Sequence, residues 1–407
     1  MNKILVPPIR LKPIDFVPAL SGLIGKTALV SSFATVWMGS LKISSPNFVF
    51  ENVRLEMLIG SIITLVAALL LPNIAPSGTL APFIILVPFM AAFGVHPFLL
   101  SIFVGIFGII AIKTGVFNKL LALSGPICKT SLTLTFGISG LLLSVKKLDH
   151  FYSGQRLPFF LLLVSLSIIF YILHKKNKLW LMIPATATIA LILSLSFRFI
   201  PQSPATTDSL PISPAYWWKN MWEIGFGLDP ITIMKTLPFA LFVVILWAID
   251  TASITTMLEA SHTENKKEDL DLNTSFLITS IRNMIGGCFG GAQTGALWRS
   301  FLIPLSMVRR PMRPASILMG AIGILVGISY YPIALLSFPP LVWSVLLYGI
   351  FLPFLVVGLK NLRGLVKQMD IFIILLCMAV GVIFSPIVTW TLCLAYEKLV
   401  KRNNLHL

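Results

Sequence analysis

Apolar residues run through this chain in blocks of about twenty, the length that carries a helix across a bilayer core of ~30 Å. Uninterrupted blocks fall at 17–38, 57–71, 97–116, 126–145, 157–173 and 179–199. The series resumes at 236–258, 273–290, 315–330, 339–359 and 370–384, with a shorter block at 387–400. Two more blocks are equally apolar but broken. One runs from Pro76 through Gly78 and Pro82 to Gly94, the other from Gly290 through Gly295 to Met307. Together they predict an all-α polytopic membrane protein of about fourteen spans. The widest polar gap, 199–230, holds Pro201, Pro204, Pro211, Pro214 and the run Tyr216-Trp217-Trp218 beside Lys219. Aromatics next to a lysine suit a helix lying at the membrane interface. The gap separates a first repeat at 1–198, an external linker at 199–229 carrying that interfacial helix, and a second repeat at 230–407. Each half then has seven spans, a 7+7 inverted repeat, and each has its broken span in third place. Interrupted spans at corresponding positions of two halves point to a transporter's binding site.

Composition excludes the rival classes. Of 407 residues, 57% are hydrophobic and 11% charged, against about 25% charged in a soluble protein. A soluble enzyme, a disordered chain and a nucleic-acid module are ruled out. No cluster of His, Asp and Glu with acid–base or metal spacing argues for an enzyme either. The net charge of +16, from 31 Lys and Arg against 15 Asp and Glu, follows from loop topology. With both termini cytoplasmic, most of the basic residues fall on the inner side of the cell (inner) membrane, as the positive-inside rule requires. Cys128, Cys288, Cys377 and Cys393 sit singly in apolar stretches and are expected as small buried hydrophobes. Residues 1–16 lack the apolar core and cleavage site of a signal peptide. The run from His262 to Asp269 is expected as a solvated cytoplasmic loop, and His96 as a cap at the outer face.

Backbone that stops being helical at membrane depth survives only where it lines a cavity or meets a ligand. The first break, from Pro76 to Pro82, offers Gly78, Thr79, Leu80 and Ala81; the second offers Gln293, Thr294, Gly295 and Ala296. Both are expected to aim free N–H groups and the positive end of a helix dipole at a common anion near midplane. Arg299, one to two turns past the second break, either stands behind that anion or pairs with a carboxylate. Asp250, with Thr251 and Ser253 close by, either binds Na⁺ or carries a proton, or pairs with Arg299 or Lys26. Lys26, in the middle of the first span, is a partner for Asp250, an anion ligand, or a snorkelling lysine. Arg282 has a phosphate or carboxylate partner toward the cytoplasmic side.

The stretch from Asn283 to Ser300, N-M-I-G-G-C-F-G-G-A-Q-T-G-A-L-W-R-S, resembles the pattern around the tenth span of the sulfate permease (SulP) family of anion transporters. Asp250 falls where that family carries an acid on its eighth span. Gly105 to Gly115 and Ser124-Gly125-Pro126 are similar to its fourth and fifth spans. The resemblance implies a core domain of spans one to four and eight to eleven, a gate domain of the rest, and half-helices three and ten facing each other across the substrate. It further implies elevator-like secondary transport of sulfate, bicarbonate, halide or dicarboxylate, by H⁺ or Na⁺ coupling or by exchange, commonly in a homodimer. The family usually carries a C-terminal STAS domain, and this chain is expected to lack one. The Pro-Gln that the family often carries in its first span is missing here, with Lys26 nearby instead, and Trp298 stands where small polar residues frequently help hold the anion. A related fold family carries uracil and xanthine, with acids on both the eighth and tenth spans. Here the tenth has Arg299 and no acid, which favours anions.

Overall fold

The first two helices show how the chain uses its apolar blocks. Helix α1, Phe16–Leu41, follows a 3₁₀ turn at Pro13–Asp15 and stops at Lys42, whose φ of 56° leaves the helical region. Helix α2 covers Phe48–Leu70 and so begins well before the apolar block at residue 57. Its polar first turns look like a loop in the sequence, yet Glu51, Asn52, Arg54 and Glu56 are all buried. Arg54 pairs with Glu51 at 3.2 Å, one turn away, which is how an apparent loop becomes helix interior. The computed structural model describes residues 10–71, 73–152, 156–176, 178–196, 213–261, 270–329, 340–364 and 368–404. The expected loop from His262 to Asp269 and the prolines Pro201, Pro204 and Pro211 lie outside them.

After α2 the chain runs extended to Leu80, makes a 3₁₀ turn at Ala81–Leu86 and forms the short α3, Val87–Phe93. It then turns by 109° into α4, Pro97–Lys113. His96 caps α4, its Nδ1 accepting from the Phe98 N–H at 3.2 Å. Burial lowers the pKa of that ring to about 4, so it stays neutral and keeps its acceptor. Next come α5 (Val116–Leu123), α6 (Pro126–Tyr152), α7 (Arg156–Lys175) and α8 (Met182–Ser196). The second half holds α9 (Pro230–Ser261), α10 (Leu272–Cys288), α11 (Arg299–Val308) and α12 (Met312–Ile328). It ends with α13 (Pro340–Arg363), α14 (Gln368–Ile383) and α15 (Pro386–Asn404).

Among the described residues, five helical stretches are long and apolar enough to cross a membrane alone: Pro13–Leu41, Phe48–Leu70, Pro126–Lys146, Pro230–Thr256 and Ser344–Arg363. Large apolar side chains such as Leu157, Met234, Leu325 and Ile383 point outward, as a lipid-facing surface requires. The chain is a multi-pass membrane protein. Helix α11, with its 10 residues, spans about 15 Å, half of a bilayer core. The break before it is therefore real.

Helices pack in two groups. In the first, α2 lies on α12, α4 on α10 and α1 on α11; in the second, α6 lies on α13, with α8, α14 and α15 around that pair. Small residues at the seams allow close approach without a hydrophobic driving force between helices. Gly320 of α12 meets the backbone of Leu65, and Gly137 of α6 meets that of Leu355. Glu397 of α15 accepts from the N–H groups of Gly125, Ile127 and Cys128, closing the N-terminal end of α6.

The tryptophans of the segment before α9 are buried. Trp217, Trp218 and Trp222 lie under the end of α10. Trp218 donates to the Gly287 carbonyl at 3.0 Å and Trp222 to that of Gly290 at 2.7 Å. The last carbonyls of a broken helix need donors, and these indoles supply them.

Candidate functional site

The two breaks meet. Gly78 donates to the Ala296 carbonyl at 2.6 Å and Leu80 to that of Thr294 at 2.8 Å; Ala296 returns a bond to Gly78 at 3.3 Å and Trp298 one to Pro76 at 3.1 Å. Segments 76–80 and 294–298 thus form a short antiparallel ladder, with Ser77 bridged to Leu297. This differs from the expectation of free N–H groups at both tips, because backbone donors without water find the nearest acceptor, and each break is the other's acceptor. Gly78 permits the approach: a Cβ on it would lie 2.5 Å from the Trp298 Cα.

Beyond the ladder the chain opens on a small cavity. Lys26 and Leu29 of α1, Thr79 and Ala81 of the first break, Trp298, Arg299 and Ser300 of the second, and Ile350 and Phe351 of α13 line it. The space has room for about one water molecule. Arg299 is the first residue of α11 rather than one to two turns inside it, so its side chain starts at the cavity wall. It pairs with the Asp250 carboxylate, and both are buried. Its guanidinium also lies 4.8 Å from the Phe136 ring and 5.0 Å from that of Phe354, on α6 and α13. A cation shared between a carboxylate and two ring faces joins the two helix groups at one point.

Lys26 is 1% exposed and its Nζ has no hydrogen-bond partner. It sits 4.4 Å over the Trp298 ring. Trp298 is itself fixed, donating its indole N–H to the Gly22 carbonyl of α1 at 2.8 Å. The tryptophan that stands where the resemblance expects a small polar residue is a platform for Lys26.

Of the remaining expected residues, Thr79 reaches the cavity and also donates to Gln293. Gln293 turns away from it, toward Glu56, donating at 2.6 Å. Gly295 donates to Asn283 at 2.7 Å and accepts from Trp247 at 2.8 Å. Thr251 and Ser253 donate to helix carbonyls, of Trp247 at 2.7 Å and Asp250 at 2.8 Å, not to the Asp250 carboxylate. Glu56 and Asn52 of α2, both outside the expected set, stand behind the second break. Glu56 of α2 and Arg282 of α10 form a fully buried ion pair, and Asn52 binds Gly290 and Ala292 at 2.8 and 3.0 Å. Arg282 had a carboxylate partner to find. Glu56 was hidden because the polar start of α2 reads as loop.

A family model described as protein of unknown function (DUF3360) matches residues 7–404. No curated protein matches the chain by sequence. Among solved structures, the overall structure of SLC26A9 is similar at a TM-score of 0.53 and 15% identity, over 95% of this chain and 65% of that one. This chain therefore spans 65% of that protein's length. The transmembrane domain of a cyanobacterium bicarbonate transporter, BicA, is similar at a TM-score of 0.48 and 13% identity, over 92% of this chain and 96% of that one. The likeness to SLC26A9 is one of fold.

Proposed function

The chain belongs to the DUF3360 family, and we propose that it is a secondary active transporter of a small anion. The observation that carries this reading is the cavity at the paired breaks, where two buried cations, Lys26 and Arg299, stand beside one carboxylate, Asp250. A buried site with excess positive charge at a helix start is complementary to an anion. Helices α1–α4 and α9–α12 form the core in this proposal, and α5–α8 with α13–α15 the gate. The packing of α2 on α12 and of α4 on α10 supports it, since a 7+7 relation exchanges those two contacts.

The anion sits at Thr79, Ala81 and Arg299, and the core carries it across in an elevator-like movement. Asp250 supplies coupling: when it releases Arg299 it is free to take a proton or a Na⁺ ion, with Thr251 and Ser253 nearby on its helix; exchange is the uncoupled variant. Both termini are cytoplasmic in the inner membrane, and the chain pairs as a homodimer.

Uptake of labelled bicarbonate, chloride, formate, sulfate and succinate into proteoliposomes, under Na⁺ or H⁺ gradients, tests the proposal. One of these anions is expected to accumulate. Competition by uracil or xanthine, with no effect of any anion, would select a nucleobase permease on the same fold instead.

A further inference from the structure

Among the described residues, each buried charge near the cavity has a partner except one. Arg299 is matched by Asp250 and Arg282 by Glu56. Among the described residues around the cavity, only the Lys26 ammonium faces no opposite charge and donates no hydrogen bond. Its position is built. The Nζ lies over the Trp298 ring at 4.4 Å and fills the notch above Gly60 of α2, where a Cβ would collide with it.

We propose that Lys26 sets the valence of the substrate: the site takes a small monovalent anion, such as a halide, bicarbonate or a one-carbon carboxylate, and discriminates against sulfate and dicarboxylates. The inference rests on the transporter reading and narrows its substrate class.

Leaving a net charge buried costs several kcal/mol unless something compensates it. The paired residues cancel, so with Lys26 protonated the walls carry one positive charge. A monovalent guest leaves the closed site neutral. A divalent guest leaves it one charge in excess, and the dipole of α11 offsets only about half of that. The closed cavity has room for about one water molecule, so every polyatomic guest must widen it, and the larger oxyanions must widen it most. Phe351 and Ile350 wall it on the α13 side, so a larger divalent oxyanion needs both a wider cavity and another cation.

The test uses the full chain in detergent, in a gluconate background, with thermal unfolding followed against chloride, bicarbonate, formate, sulfate and oxalate. The wild type is expected to respond to one of the monovalent anions at a concentration at least tenfold lower than to either dianion. Lys26→Met is expected to weaken that response at least tenfold, and Lys26→Arg to keep it. Gly60→Ala, which retains the charge but displaces the ammonium, is expected to weaken it as well. Sulfate or oxalate acting as well as the monovalent anions on the wild type overturns the inference, whether or not the variants fold. A folded Lys26→Met with an unchanged monovalent response does the same. Transport of a dianion in liposomes leaves the transporter reading standing and removes the valence claim; no response to any anion, with no flux, removes both.

Discussion

Asp250 and Arg299 come from different helices, and each is tolerable in a buried place because of the other. Removing one partner of such a pair strands a charge and costs about 3–5 kcal/mol, whereas removing both costs much less. Asp250→Asn is therefore expected to lower thermal stability sharply in detergent, and Asp250→Asn combined with Arg299→Gln to recover most of the loss. Equal and additive losses would mean that the two charges do not rely on each other. Transport should fall in Asp250→Asn, in Arg299→Gln and in the double variant, with the Na⁺ or H⁺ dependence lost wherever Asp250 is replaced. At this scale both members were visible in the sequence, since an isolated ion in an apolar block stands out. Their partnership was one of several open pairings, because choosing among Arg299, Lys26 and nothing requires knowing which helices touch. Glu56 was invisible for the opposite reason. It sits beside Glu51, Asn52 and Arg54, and a cluster of polar residues reads as solvent-facing until its neighbours are known to be buried.

The ladder between 76–80 and 294–298 belongs to the scale of elements. Glycine and proline announced both breaks, and the structure interrupts the helices there. The register was not legible, since it depends on how α1 and α11 bring the two segments side by side. Gly78 is the position on which that register turns. With its Cβ 2.5 Å from the Trp298 backbone, Gly78→Ala must push the segments apart, at an overpacking cost of about 1–3 kcal/mol. The displacement passes to Thr79 and Trp298, both of which line the cavity. Gly78→Ala is expected to reduce uptake at least tenfold while the protein still folds. Gly39→Ala on α1, with nothing within 4 Å of its added methyl, is the control that should transport normally. Equal uptake by the two variants would detach the ladder from function.

At the scale of the whole molecule, the apolar blocks were legible because bilayer thickness fixes their length, whereas the seam between the two helix groups was not. That seam is built from residues remote in sequence. Ala28 of α1 is 2% exposed and packs in an apolar cluster whose other members, among them Leu148, Leu166, Met182 and Val345, come from α6, α7, α8 and α13. If the core slides past the gate during transport, α1 must move along this surface, and a small residue there keeps it smooth. A bulky one turns the seam into interlocked packing, which resists sliding because close-packed interiors deform poorly. Ala28 is not among the residues that line the cavity and packs in the cluster with α6, α7, α8 and α13 instead, so with Ala28→Phe anion-induced thermal stabilisation should persist while uptake falls at least tenfold. A variant that binds but does not transport separates recognition from movement. Uptake at the wild-type rate by a folded Ala28→Phe would place the moving boundary elsewhere, leaving the anion site intact and removing the elevator from the account.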